Sequence, residues 1–171
     1  QNLNKTNKLE SNDNRRLSPL EDAVEVYNQQ AGTWSTIFFA RIKGMITESV
    51  VREALVFLQS RHMRLKSRIV GTPRNLWFET DETLKIPLRV INEVVRWQDV
   101  VEEELNKKIE SDKNLMRVTL ICSDEENNIS YILLRIHHAI IDGVSAIKLF
   151  EELLTFMGKI ASGEDVKPEP C

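Results

Sequence analysis

The chain has 171 residues, 42% of them hydrophobic and 29% charged, which is the composition of one globular domain with a hydrophobic core. Its net charge of -3 comes from interspersed acidic and basic residues, so no basic stripe can neutralise the phosphates of a nucleic acid. The sequence has no apolar run near the roughly 18 residues that cross a membrane. Cys122 and Cys171 offer neither a disulfide framework nor metal-ligand spacing, which favours a cytoplasmic protein without a bound metal.

The first predicted helix follows a polar N-terminal stretch. Residues 1–15 are expected to form a flexible leader, and the folded domain to span residues 16–160. Ser18 can cap a helix and Pro19 suits its first turn, so we predict a helix from there to about Gln30.

A strand and a second helix are predicted next. Residues 33–43 are rich in aromatic and β-branched side chains and end at Gly44, which is typical of a strand. Thr47 then begins a helix with one apolar stripe, which should pack on a sheet. The residues of this stripe are Val50, Val51, Ala54, Leu55 and Leu58.

The middle of the sequence predicts short strands. Residues 65–70 and 75–79 flank a turn-forming cluster at 71–74, so we expect them to pair as a β-hairpin. Residues 88–91 are predicted to form a further short strand.

The following segment predicts one helix and two strands. Residues 96–109 carry apolar side chains on one side of a helix, and we interpret the glutamates at 102–104 as its solvated face. Residues 115–123 and 129–137 are predicted strands, and the acidic, Asn-rich turn between them indicates an antiparallel pair.

A last helix is predicted from Gly143 to Met157, ending near Gly158. Residues 161–171 have the Pro, Gly and charge content of a linker. Strands mixed with helices in this order predict an α/β fold in which helices cover a mixed, largely antiparallel sheet.

The residues that can carry chemistry lie between the last predicted strand and the last predicted helix. An apolar strand leads to His137 and His138, and a turn with Asp142 and Gly143 follows. Neighbouring strand residues point to opposite faces, so only one histidine can address a given cleft. A histidine with a pKa near neutrality can remove a proton from an attacking hydroxyl, amine or thiol. Asp142 would then hold the geometry of the loop.

Three motifs resemble those of one known family and occur in the family's order. HHAIIDG at 137–143 matches the HHxxxDG signature of the acyltransferase superfamily of chloramphenicol acetyltransferases, condensation domains and alcohol acyltransferases. LSPLE at 17–21 resembles the opening motif of condensation domains. RHMRLKSRI at 61–69 is similar to their second motif, Arg-His-Glu-x-Leu-Arg-Thr. In that motif Met63, Lys66 and Ser67 depart from the usual residues.

The resemblance implies a role for each residue of the signature. It makes His138 the general base and His137 a structural residue. It makes Asp142 a structural residue that pairs with a basic side chain, and Gly143 a position of close approach. Lys66 and Arg68 are both candidates for the basic partner, because they lie two apart on the predicted strand and face the same side.

The resemblance also implies a reaction. An acyl group would pass directly from a thioester, carried by coenzyme A or by a phosphopantetheinyl carrier protein, to an acceptor, and no bound cofactor would be needed. The motifs are closest to the stand-alone, ester-forming enzymes of secondary metabolism, whose acceptor is an alcohol. The alternatives are an amide-forming condensation domain of a nonribosomal peptide synthetase and a non-catalytic interaction lobe.

The family enzymes have two similar lobes, and the chain resembles the first, with residues 161–171 leading toward the second. Catalysis would therefore need a second lobe, a companion polypeptide or self-association, and an isolated first lobe can lack activity.

Overall fold

The architecture comes from a computed structural model, which describes residues 7–8, 24–31, 35–72, 74–107, 109–124, 126–141 and 145–163. The strands are β1 (Asn7–Lys8), β2 (Val24–Ala31), β3 (Ser35–Lys43), β4 (Ser67–Thr72), β5 (Asn75–Thr80), β6 (Leu88–Ile91), β7 (Met116–Asp124) and β8 (Ile129–His137). The helices are α1 (Glu48–Arg61), α2 (Trp97–Asn106), α3 (His138–Ile141) and α4 (Ala146–Ala161), and Met63–Lys66 form a 3-10 turn after α1.

The main sheet has six strands in the order β1-β2-β3-β8-β7-β6. All neighbouring strands are antiparallel except β6 and β7, which are parallel. Helices cover both faces of this sheet, so the predicted α/β class with a mixed, largely antiparallel sheet is confirmed. In the described part of the chain, none of the helices combines the length and apolar character needed to cross a membrane.

One face of the sheet packs against α1 and α4 and forms the main core. Alternate residues of β3, β7 and β8 point to this face, among them Phe38, Val118 and Leu134, and all are almost fully buried. Phe150 of α4 is fully buried, and its ring centroid lies 5.6 Å from that of Phe38. The core is continuous from the sheet into both helices, which fixes the position of β8 within the domain.

The opposite face of the sheet packs against α2. Ile37, Phe39 and Leu133 are buried there with Trp97, and the Phe39 and Trp97 rings are stacked with centroids 4.5 Å apart. We call this the α2 face, and the other the α1/α4 face.

The predicted β-hairpin is confirmed and forms a separate two-stranded sheet. Gly71 has a φ of +113°, and a Cβ there would lie 2.2 Å from the carbonyl oxygen of Asn75. The turn therefore requires glycine for both its backbone conformation and its close approach. The amide of Ile69 donates to the carbonyl of Ser111, which ties the hairpin to the loop before β7.

The predicted first helix is wrong over Val24–Ala31, which form β2. These eight residues pair one for one with β3, from Val24 opposite Ile42 to Ala31 opposite Ser35. The segment pairs with the free edge of the buried strand β3, and this tertiary pairing outweighs the local helix signals. The proposed cap residues, Ser18 and Pro19, lie outside the described residues.

Further boundaries differ from the prediction, since α2 ends at Asn106 rather than at residue 109 and the last helix begins at Ala146. Leu65 and Lys66 belong to the 3-10 turn rather than to a strand, because the Leu65 amide donates to the carbonyl of His62 and the Leu65 side chain is buried. The last helix continues past Gly158, which is buried within it, and ends at Ala161. Gly163, with a φ of +77°, follows it and donates its amide to the carbonyl of Ile160.

Candidate active site

Strand β8 carries the histidine pair to one end of the sheet. It lies between β3 and β7 and is paired with both, and five of its nine side chains are buried in an uninterrupted run from Ile132 to Ile136. The amide of His137 donates to the carbonyl of Leu115 at 2.8 Å, so the strand is held up to its last residue. A strand held on both sides places its end with little freedom, which is what a reacting group needs.

His137 is half-buried at the end of β8, and its ring is oriented by the backbone. Its Nδ1 accepts a hydrogen bond from the amide of Ala139 at 3.0 Å, so the neutral ring carries its proton on Nε2. Burial lowers the pKa of His137, and the nearby His138 lowers it further. His137 is therefore held neutral and in one orientation, which suits a structural residue.

His138 is the first residue of α3, not a continuation of the strand. The prediction assumed that both histidines lie on one strand and point to opposite faces. This assumption is wrong, since β8 ends at His137 and the chain turns there into a helix. The side chain of His138 is partly exposed. Among the described residues, none forms a hydrogen bond with it. Its ring is thus accessible, as a group that takes a proton from a substrate must be.

The two basic residues predicted to pair with Asp142 lie in the 3-10 turn and in the hairpin. Asp142 and Gly143 lie outside the described residues. Lys66 forms an ion pair with Glu82 at 3.2 Å, and the guanidinium of Arg68 on β4 forms hydrogen bonds with Glu79 on β5. Both predicted partners of Asp142 are thus already paired with a carboxylate, on β5 or just after it.

The second motif joins α1 to α4. His62 is the C-cap residue of α1, and its Nε2 lies 2.5 Å from a carboxylate oxygen of Glu152 on α4. The other oxygen of that carboxylate accepts from Arg61 at 2.9 Å. Because α4 follows the signature loop, this shared carboxylate links the second motif to the helix behind the histidines.

A buried charge cluster on the α2 face was missed by the sequence analysis. Arg135, two residues before His137, is 4% exposed and donates to the hydroxyl of Ser35 and to the backbone carbonyl of Glu104 at 2.5 Å. The carboxylate of Glu104 is hydrogen-bonded to Arg117 and lies 3.7 Å from Arg135. Burial lowers the pKa of Arg135, and the charge of Arg117 opposite lowers it further.

The cluster corrects one prediction. Glu104 is 4% exposed, so it does not belong to the solvated face of the helix. It follows Val100 by four residues and Val101 by three, which places it on the apolar side of α2 at helical spacing. This spacing, together with an arginine in the apolar strand before His137, could have revealed the cluster.

A comparison with known families decides the identity of the fold. The family model described as "Condensation domain" matches residues 21–171, which is most of the chain. The chain belongs to the condensation domain family. The resemblance inferred from the three motifs is thereby confirmed. No curated protein matches the sequence.

Solved structures with similar folds include several condensation domains. SgcC5 from Streptomyces globisporus is 24% identical, with a TM-score of 0.61 over 80% of this chain and 32% of its own. The starter condensation domain of the rhizomide synthetase RzmA is 14% identical, with a TM-score of 0.63 over 82% of this chain and 35% of its own. A structure of condensation domain-mediated chain release from the enacyloxin polyketide synthase is 18% identical, with a TM-score of 0.59 over 80% and 27%.

These likenesses concern the fold alone, since each identity is below 25%. The chain spans about a third of the length of these solved structures.

Proposed function

We propose that the chain provides the histidine-bearing first lobe of an acyltransferase that transfers an acyl group from a thioester to an alcohol. The observation that carries the proposal is the placement of His138, the second histidine of the signature, as an accessible side chain directly after a strand that is paired on both sides. Membership in the condensation domain family supports it.

The residues allow the following chemistry. His138 removes the proton from the acceptor hydroxyl as the oxygen attacks the thioester carbonyl carbon. The tetrahedral intermediate collapses, the carbon–sulfur bond breaks, and the proton on His138 passes to the departing thiolate. His137, held neutral by burial, places no positive charge beside the proton that His138 accepts. Coenzyme A or a phosphopantetheinyl carrier protein supplies the thioester as a substrate, and the reaction consumes no bound cofactor.

The roles of the remaining signature residues follow the same proposal. Asp142 orients the loop by pairing with Lys66 or Arg68, and Gly143 lets substrate approach the backbone. Lys66 already pairs with Glu82, and Arg68 pairs with Glu79. The carboxylate of Asp142 would therefore join an existing ion pair rather than create one. A second lobe, in the same polypeptide or in a companion, completes the active site. Residues 161–171 lead toward it, after a lobe at 16–160.

An amide-forming reaction is the second candidate. Membership in the condensation domain family is compatible with an amine acceptor as well as with an alcohol. The same base serves both, because a hydroxyl and an ammonium-derived amine each lose one proton during attack.

The test measures release of free thiol from acyl-CoA donors in the presence of alcohol and amine acceptors. The native chain is assayed alone and with any co-purifying polypeptide, and compared with His138→Ala. We expect the substitution to lower turnover on the order of a hundredfold or more. Lys148→Ala, an exposed position on α4, serves as the control and should keep native turnover. A His138→Ala protein that is folded and as active as the native chain would overturn the proposal.

A further inference from the structure

The buried charge cluster borders a cleft that the proposed chemistry does not use. This basic cleft has a volume of about 440 Å³, and its lining includes Lys107, Glu110, Lys113, Asn114, Met116 and Arg117. It lies between the end of α2 and the first residues of β7. Three of its side chains are cationic and one is anionic, so it carries an excess of positive charge.

Arg117 gives the basic cleft its fixed charge. Its Nε is hydrogen-bonded to Glu104, whose carboxylate also faces the guanidinium of Arg135. One carboxylate therefore serves two arginines, and a positive charge is left without compensation in a buried cluster. The Nη2 atom of Arg117 is buried, and no group among the described residues accepts a hydrogen bond from it.

The two lysines of the basic cleft stand on the exposed side. Lys107 pairs with Glu103 at 3.0 Å, and Lys113 pairs with Glu110 at 2.7 Å. All four of these side chains are largely exposed, so the pairs are weak and their lysines can turn to another anion. The pKa of Glu110 is lowered chiefly by Lys113 and also by Arg117, because both cations favour the charged carboxylate.

The basic cleft is close to the histidine pair. Met116 lies opposite Ile136 in the sheet and Arg117 opposite Arg135, so Arg117 is two residues along the ladder from His137. At the rise of a strand, two residues correspond to an offset of roughly 7 Å along the strand direction. The residue before Met116, Leu115, also accepts the amide hydrogen bond of His137.

We propose that the basic cleft binds an oxyanion, a phosphate or carboxylate group of a substrate, through Arg117, Lys107 and Lys113. A guanidinium beside two exposed ammonium groups recognises such a group by charge-assisted hydrogen bonds. The phosphate would come from the pantetheine carrier of the donor, and the carboxylate from an acceptor. The assignment of the anion to a substrate rests on the proposed acyl transfer, whereas the binding of an anion does not.

The first experiment measures binding without turnover. The native chain is titrated with potassium phosphate and with potassium acetate at constant ionic strength, and the backbone amide shifts of residues 109–118 are followed by NMR. We expect saturable shifts. The double variant Lys107→Ala, Lys113→Ala should weaken binding at least tenfold while leaving the Arg117 and Glu104 contact intact. The matched double variant Lys43→Ala, Lys85→Ala removes the same charge from exposed positions outside the cleft and should bind like the native chain.

Two results would overturn the site. One is the absence of saturable shifts with both anions. The other is equal weakening in the two double variants, since that would reflect net charge alone. Because this readout needs no catalysis, a folded His138→Ala protein that is as active as the native chain would contradict the proposed function and leave the anion site standing.

The second experiment identifies the source of the anion. If the donor phosphate binds, the cleft variant should raise KM for acyl-CoA at least tenfold and leave KM for acyl-pantetheine, which has no phosphate, unchanged. If an acceptor carboxylate binds, KM should rise for a carboxylated acceptor and not for its methyl ester. An unchanged KM in every pairing would overturn the assignment to a substrate.

Discussion

The two faces of the main sheet differ in composition, although the strands β3, β7 and β8 contribute side chains to both. The α1/α4 face is mostly apolar, with the small polar side chains of Thr36 and Ser130 buried near its ends, and it buries residues from both long helices. The α2 face is apolar under Trp97 but becomes charged toward the histidine end, where Arg117 and Arg135 share the carboxylate of Glu104. The main apolar core and the charged cluster near His137 thus lie on opposite faces of the sheet.

This difference has a physical reason. An apolar face gains stability roughly in proportion to the area it buries and has no penalty for desolvated charge. A buried arginine cluster gains little or no net stability, because the loss of hydration of its charges is comparable to their attraction. Its position near His137 is one reason for the binding role that we propose for the basic cleft.

The largest effect is expected on the apolar face. Phe150→Ala should lower the free energy of unfolding by about 4 kcal/mol, because the ring is fully buried and packs against Phe38. Chemical denaturation monitored by circular dichroism measures this change. Phe150→Leu retains most of the volume and should cost much less. Equal losses in the two variants would show that the core is not packed as described.

A smaller effect of different origin is expected on the charged face. Glu104→Gln removes the carboxylate between two guanidiniums and should cost about 3 kcal/mol, near the lower end for breaking a buried ion pair, since Arg117 is partly exposed. Glu103→Gln is the matched control on the same helix. Its pairs with Arg89 and Lys107 are exposed, so its loss should be below about 1 kcal/mol. Similar losses in both variants would contradict the burial of Glu104.

The smallest effect is a pH dependence that originates at the histidine end. The pKa of His137 is lowered below its ordinary value of 6.5, so the unfolded chain binds the proton more readily. Stability should therefore be complete above pH 6.5, decline as the pH falls below that value, and level off below the folded pKa. Denaturation curves between about pH 8 and pH 5 measure the decline.

His137→Asn tests the origin of this decline. The Asn side chain can accept the hydrogen bond of the Ala139 amide but does not titrate. The decline below pH 6.5 should be reduced in this variant. The carboxylates of Glu103 and Glu110, whose pKa values are lowered below 4.5, lose their contribution only at lower pH, so they do not interfere. An unchanged decline in His137→Asn would assign it to another group.

Local sequence patterns were sufficient to predict an element where its own residues show which side is buried and where the chain turns. The stripe of α1, the hairpin with its glycine turn and the apolar strand β8 were all predicted with nearly the observed bounds. The prediction failed at β2, because its strand conformation depends on pairing with β3 and is not encoded by its own helix-start signals. It failed at Glu104 because a charge run was read as solvated without reference to its neighbours three and four residues away.

The sequence alone was enough to establish the α/β class, the order of most elements and the family, because hydrophobic periodicity and a motif are local properties of the chain. Only the tertiary structure decided that β8 ends between the two histidines, so that the His137 ring is held in one orientation by the Ala139 amide while His138 begins a helix. It also decided that Arg117, Arg135 and Glu104 meet, since these residues are brought together by strand register and by the packing of α2, and neither is visible in the sequence of any one element.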